Sequence, residues 1–147
     1  MKFRLVEDME KTIKAYHGTD SVFNRFKNTK GGIGYWFSTD KDYANEHGNY
    51  LLEVLLHLSN VLDLEVQEDE FLNLRDEFFG KRVDEKTLFS SKEFGSFLSS
   101  KGYDAMSWSH NDGTTYVVFN PDDIEIKRTL GDSINENIKR RFRKREF

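Results

Sequence analysis

Asp104-Ala105-Met106-Ser107-Trp108-Ser109-His110-Asn111-Asp112-Gly113-Thr114-Thr115-Tyr116-Val117-Val118-Phe119-Asn120-Pro121 is the stretch on which the fold turns. Residues 104–108 and 114–119 read as two strands, and Asn111-Asp112-Gly113 between them is a hairpin turn. Asn120-Pro121 stops the second strand, and Ile124 and Ile126 mark one more short strand beyond it. Working backwards, Phe94, Phe97 and Leu98 lie on one face of a helix that Gly102 ends. Phe71, Leu74 and Phe78 lie on another that Gly80 ends. Before these, Val61-Leu62-Asp63-Leu64 is a short strand after a turn at Asn60. Tyr50–Leu58 alternates as a long one, with Tyr50, Leu52, Val54, Leu56 and Leu58 on one face and Leu51, Glu53, Leu55 and His57 on the other. An exposed face accounts for Glu53 and His57. Strands interrupted by helices and closed by an antiparallel hairpin predict an α+β fold rather than an alternating parallel one.

The first third is more broken. Lys14-Ala15-Tyr16-His17 reads as a strand stopped by Gly18. Phe23 and Phe26 predict a helical turn within Ser21–Thr29. Lys30-Gly31-Gly32-Ile33-Gly34 is a loop, either a plain turn or a place where backbone approaches a ligand. Tyr35-Trp36-Phe37-Ser38 is a strand, and successive strand residues alternate, so one of Tyr35 and Trp36 belongs to the core and the other to a cleft. Thr39 is the expected N-cap of a helix whose first turn holds Asp40 and Asp42. The chain divides into an arm or helix over 1–13, one domain over 14–130 and a basic tail over 131–147.

Composition removes several classes of function. With no cysteine there is no disulfide framework, thiolate nucleophile or cysteine zinc site, and a reducing cytoplasm is the expected compartment. No run of apolar residues is long enough to span a membrane, and Met1–Asp8 turns acidic too early for a secretory signal. Net charge is −4, yet residues 133–147 carry six Lys or Arg and two Glu, which leaves −8 on the remainder. Such a body is a poor general nucleic-acid binder. The run 139–145 is either a solvated charge run or a contact for phosphate or an acidic partner. No His/Asp/Glu spacing suggests a metal, and no Walker or Rossmann loop is present.

Three segments, in order, resemble the ADP-ribosyltransferase superfamily, in particular its small phage and polyvalent-protein members. Ala15-Tyr16-His17-Gly18-Thr19, with Phe23 and Phe26, resembles the His-Gly-Thr/Ser strand. Gly34-Tyr35-Trp36-Phe37-Ser38-Thr39-Asp40, followed by Tyr43-Ala44-Asn45, resembles the Gly-x-Tyr-Phe-x-x-Asp strand and its helix. Gly102-Tyr103-Asp104-Ala105-Met106 and Thr115-Tyr116-Val117-Val118-Phe119 resemble the closing segment. The chain departs from the pattern twice: Trp36 stands where the family usually has Tyr, and Thr115 where it has Glu or Gln.

The resemblance implies a split β-sheet core with flanking helices and a cleft that binds NAD⁺ as substrate, with no metal. The implied reaction breaks the nicotinamide–ribose bond through an oxocarbenium-like state. His17 would hold a ribose hydroxyl, the Gly18 backbone would pair with the nicotinamide amide, and Tyr35, Trp36 or Tyr43 would stack on the ring. Tyr16, Thr19 and Ser38 complete the implied binding set, and His17, Trp36, Asp112 and Thr115 the implied catalytic set. Asp112 has two readings, a displaced catalytic acid or ordinary Asp-Gly turn chemistry. His110 reads as a surface residue. The implied activity is mono-ADP-ribosylation of a protein or nucleic-acid acceptor by a phage or bacterial effector in a host cytoplasm. The alternatives are a non-catalytic NAD-binding or partner-binding module and an NAD glycohydrolase.

Overall fold

The computed structural model describes residues 10–20, 23, 25–26, 32–110 and 112–130. The expected turn in 21–29 therefore lies outside the described residues except for Phe23, Arg25 and Phe26, as do Lys30, Gly31, Asn111, the arm up to residue 9 and the tail 131–147. The elements are β1 (Lys11–Thr19), β2 (Tyr35–Ser38), α1 (Lys41–Asn45), β3 (Tyr50–Leu58), β4 (Val61–Asp63), α2 (Glu68–Phe79), α3 (Glu85–Phe89), α4 (Lys92–Ser100), β5 (Ala105–His110), β6 (Gly113–Val118), a 3-10 turn (Pro121–Asp123) and β7 (Ile124–Thr129). The fold is α+β.

The strands form one sheet in the order β4-β5-β6-β2-β1-β3-β7. Among the described strands, only β4 and β5 pair in parallel. The sheet is nearly two sheets. β1 pairs with β3 along its whole length, from Lys11↔Leu58 to Thr19↔Tyr50, and β2 pairs with β6 from Tyr35↔Val118 to Ser38↔Thr115. Yet β1 and β2 register at Tyr16↔Ser38 alone. This seam divides β1-β3-β7 from β4-β5-β6-β2, which is the expected split core.

Two apolar clusters hold the halves. Ala15, Phe26, Tyr35, Phe37, Leu52, Val54, Leu56, Leu58, Ala105 and Val118 form one on the face that spans the seam. On the other face, Leu62, Met106 and Val117 pack with Ile33 and with Phe71, Leu74, Leu88, Phe94 and Leu98 of the helices. The apolar spacing of α2 and α4 is what buries these faces. Gly80 ends α2 with φ 71° and Gly102 follows α4 with φ 98°, a conformation that glycine adopts without a Cβ penalty. Ile33 is buried, so this end of the glycine run packs into the core.

Some local expectations shift. Residues 11–13, read as the end of an arm, begin β1 and pair with Leu56–Leu58. The cap of α1 is Asp40, whose carboxylate accepts from the Asp42 N–H. Thr39 instead accepts from the Thr114 N–H at 2.9 Å through its hydroxyl, tying β2 to the hairpin. Helix α3 carries no periodic signal because it is one turn long, with Asp84 capping the Thr87 N–H and Leu88 its only buried residue. The second face of β3 is not open: Glu53 is 8% exposed. Arg128 of β7 forks onto its two oxygens at 3.1 and 3.3 Å, and Lys14 approaches at 3.5 Å. His57 on the same face is held between Glu10 and Glu125.

The hydrogen bond from Arg128, opposed by desolvation and aided by the charges of Arg128 and Lys14, holds the Glu53 carboxyl below its ordinary 4.5. A lowered folded-state value means the pair stabilises the fold above the unfolded value and loses that contribution as pH falls through the folded one. Glu53→Gln is expected to lower the melting temperature at neutral pH and to flatten its decline below about pH 5. An unchanged acid limb in melts of the variant would show that this pair does not link β1, β3 and β7.

Candidate functional site

The single-pair seam creates the site. β1 and β2 part beyond Tyr16↔Ser38, and a cleft of about 290 Å³ opens there. Tyr16, His17 and Gly18 line it from β1, Trp36, Phe37 and Ser38 from β2, Tyr43, Ala44 and His47 from α1 and the residues after it, and Trp108 and Thr115 from the hairpin. The seam is bridged by a side chain: His17 Nδ1 lies 2.6 Å from the Trp36 carbonyl oxygen. A carbonyl only accepts, so Nδ1–H is the donor, and in the neutral ring Nε2 is then an acceptor. Phe26 and Phe37, with ring centroids 5.1 and 5.4 Å from that of the imidazole, pack against it.

Helix α1 reaches the cleft because of Gly18. A Cβ there would stand 2.1 Å from the Ala44 carbonyl oxygen, well inside van der Waals contact. Absence of a side chain at Gly18 thus seats α1 on β1 and brings Tyr43 and His47 to the cleft. Tyr43 packs edge-on to His47 at 5.1 Å and stacks on His110 at 4.3 Å with 25° between planes.

Across the cleft stands an aromatic wall. Trp36 meets Trp108 and Phe89 edge-on, each at 5.4 Å. These are the chain's two tryptophans. Trp36 is 37% and Tyr43 40% exposed. Large aromatics left open on either side of one concave site form a surface suited to a flat ring.

The floor is polar but neutral. Ser38 and Thr115 are 3% and 4% exposed, paired across β2 and β6, and Thr115 pairs on its other side with Trp108. The Ser38 hydroxyl accepts from the Asp40 N–H at 3.0 Å and lies 3.0 Å from His110 Nε2. Among the described residues, no Asp, Glu, Lys or Arg lines the cleft. Among the described residues, no group of three or more His, Cys, Asp or Glu is placed to hold a metal.

Of the residues expected from sequence, Tyr16, His17, Gly18, Trp36, Ser38, Tyr43 and Thr115 meet in the cleft. Three do not. Tyr35 alternates away from Trp36 into the seam-spanning core, where burial pushes its phenol above the ordinary range. Thr19 pairs with Tyr50 at the end of β1, with the backbone of Gly48 packed close against it. Asp112 is exposed in the turn beyond the His110↔Gly113 pair and is not a lining residue, so turn chemistry is the reading that fits it. His47, Trp108 and His110 were not expected. His47 stands four residues after Tyr43, a helical spacing that would have found it. Trp108 and His110 became neighbours of Thr115 and Ser38 only through strand register.

The profile described as "ADP-Ribosyltransferase in polyvalent proteins" matches residues 11–135. No curated protein matches the chain. Among solved structures, a crystal structure of an anti-CRISPR protein is similar, with TM-score 0.52 and 16% identity over 78% of this chain and 95% of that one. At that identity the likeness concerns the fold alone.

Gly18→Ala must displace α1, because the obstructing atom is backbone. Loss of about 1–3 kcal/mol of stability is expected from such overpacking, together with a change in tryptophan emission as the cleft opens. Urea melts that superimpose on those of the wild type would show that α1 does not depend on this contact.

Proposed function

This chain belongs to the family of ADP-ribosyltransferases found in polyvalent proteins, and from that premise we propose that it binds NAD⁺ in the seam cleft and transfers ADP-ribose to a macromolecular acceptor. The observation that carries the reading is the juxtaposition of His17, fixed by the Trp36 carbonyl, with the open aromatic rings of Trp36 and Tyr43. Members of this family use NAD⁺ as substrate, and the residues present fit it. At about 290 Å³ the cleft is near the lower limit of ligand pockets, ~300 Å³, a size suited to the nicotinamide–ribose half of the dinucleotide.

In this reading His17 Nε2 accepts from a ribose hydroxyl, the Gly18 backbone pairs with the carboxamide, and an aromatic side chain stacks on the nicotinamide. The leaving group departs as a neutral ring, so no general acid is needed. Catalysis rests on orienting the ribose and on polar groups aimed at the positive charge that builds on it. Ser38 and Thr115 are the hydroxyls placed to do this. A macromolecular acceptor in a host cytoplasm, met in part through the basic run 139–145, completes the proposal.

One observation favours a second reading. No carboxylate is among the described residues that line the cleft, and an uncharged floor gives less stabilisation to a cationic ribose than a carboxylate does. A non-catalytic NAD-binding module of the same fold is consistent with that.

Incubation with labelled NAD⁺ and a bacterial lysate separates these readings. Label on macromolecules supports transfer, free nicotinamide alone supports hydrolysis, and binding without either supports the module. Binding is readable directly, since both tryptophans line the cleft: NAD⁺ is expected to quench their emission. His17→Ala is expected to weaken NAD⁺ by about 1–2 kcal/mol, roughly 5- to 30-fold. Equal quenching curves for variant and wild type would remove His17 from the site.

A further inference from the structure

We propose that Ser38 and His110 form a proton relay that serves a hydroxyl acceptor, doing in this neutral cleft what a carboxylate base would otherwise do. The inference rests on the reading of the cleft as an NAD⁺-cleaving site and adds to it the chemical class of the acceptor.

The geometry is particular. Ser38 lines the cleft, and its oxygen already accepts the Asp40 N–H. The hydroxyl also has a proton to give, and His110 Nε2, at 3.0 Å, accepts it in the tautomer that carries the ring proton on Nδ1. The imidazole is held in this orientation from two sides. Its plane is stacked on Tyr43, and β6, the partner strand of its hairpin, is clamped to the residue after β2 by a reciprocal pair: Thr39 N–H to the Thr114 carbonyl at 3.0 Å and Thr114 N–H to the Thr39 hydroxyl. Gly113, paired with His110, makes the clamp possible, since a Cβ there would fall 2.7 Å from the Thr39 hydroxyl oxygen. Among the described residues, the ionisable groups near the imidazole are Tyr43 of α1, stacked on it, His47 just beyond α1 and against Tyr43, Asp40 at the α1 cap, Asp112 in the adjoining turn and Glu65, which accepts from the Ser109 N–H beside it. None of the carboxylates among them lines the cleft.

The step balances as follows. The C1′–N bond of NAD⁺ breaks and its electron pair leaves with nicotinamide. The acceptor oxygen forms a new bond to C1′ and gives its proton to the Ser38 oxygen, while the Ser38 proton passes to His110 Nε2. ADP-ribosylated acceptor, nicotinamide and one imidazolium result, and the imidazolium returns its proton to solvent. A relay of this kind matters for a neutral nucleophile that must lose a proton as it attacks. It does nothing for a carboxylate acceptor, which has none to lose. The acceptor class that the relay serves in this proposal is an alcohol hydroxyl, and water in its place gives hydrolysis. Ser38 is the group that touches the reacting atoms, and His110 acts through it.

The test uses the full chain and NAD⁺, with nicotinamide release as the rate and tryptophan quenching as the measure of binding. His110→Gln keeps a hydrogen-bonding atom near the Nε2 position but cannot take the proton. It is expected to lower kcat about 10²-fold, the low end of general-base effects, with KM and quenching within about twofold of the wild type. His110→Ala is expected to fall similarly and to recover part of its rate with added imidazole, a response that a merely structural role does not produce. Ser38→Ala carries the same prediction for kcat without disturbing the hairpin. Unchanged kcat in His110→Gln, or a loss explained by weakened quenching, overturns the relay while leaving the NAD⁺ reading intact. If the wild type itself binds NAD⁺ but releases no nicotinamide, the transferase reading falls first and the relay with it.

Discussion

Everything distinctive about this molecule depends on the place where its sheet almost fails. A seven-stranded sheet with continuous ladders would be a closed surface, yet β1 and β2 share the one pair Tyr16↔Ser38. Backbone groups released from a ladder must find other partners. The carbonyl of Trp36 finds one in the imidazole of His17. That hydrogen bond does two things at once: it satisfies the carbonyl where the ladder stops, and it sets which nitrogen of His17 bears the proton. The seam-spanning core keeps the two halves together, because Ala15 and Leu52 on one side and Phe37 and Val118 on the other belong to the same apolar cluster.

Small side chains then decide what lines the opening. Gly18 and Gly113 both stand where a Cβ would strike a neighbour, the Ala44 carbonyl in one case and the Thr39 hydroxyl in the other. The first admits α1 and with it Tyr43 and His47. The second admits the hairpin tip and with it His110. Each glycine thus acts at a distance from its own atoms, by letting an element that carries functional side chains come close. For Gly18 this packing role stands beside the backbone contact with nicotinamide that the family resemblance implies.

Charge is arranged around the cleft and not in it. Glu53 is paired with Arg128 and Lys14 on the β3–β7 side, and His57 is matched to Glu125 and Glu10, which raise its affinity for a proton. The cleft keeps hydroxyls, aromatic faces and imidazoles. At its buried floor, where Ser38 and Thr115 lie, such dipoles count for more than they would in solvent.

Much of this was legible in the order of residues alone. Strand β2, the alternation of β3, the faces of α2 and α4 with their closing glycines, and the β5–β6 hairpin all follow from local periodicity and turn chemistry, which depend on neighbours in the chain. The three motif segments likewise marked His17, Trp36, Ser38, Tyr43 and Thr115, which the fold does bring together. What local pattern does not contain is register between strands far apart in sequence. It left Tyr35 and Trp36 as alternatives, and only the pairing of β2 with β6 sends Tyr35 to the core and Trp36 to the cleft. It offered Asp112 as an acid because Asp112 is near Thr115 in the chain, whereas a hairpin turn carries its residues past the end of the ladder. It passed over Trp108 and read His110 as a surface residue, because their roles are set by residues 72 positions away and by a seam between two strands. Sequence determined the elements; the seam, a property of how the two half-sheets meet, decided which side chains face one another across it.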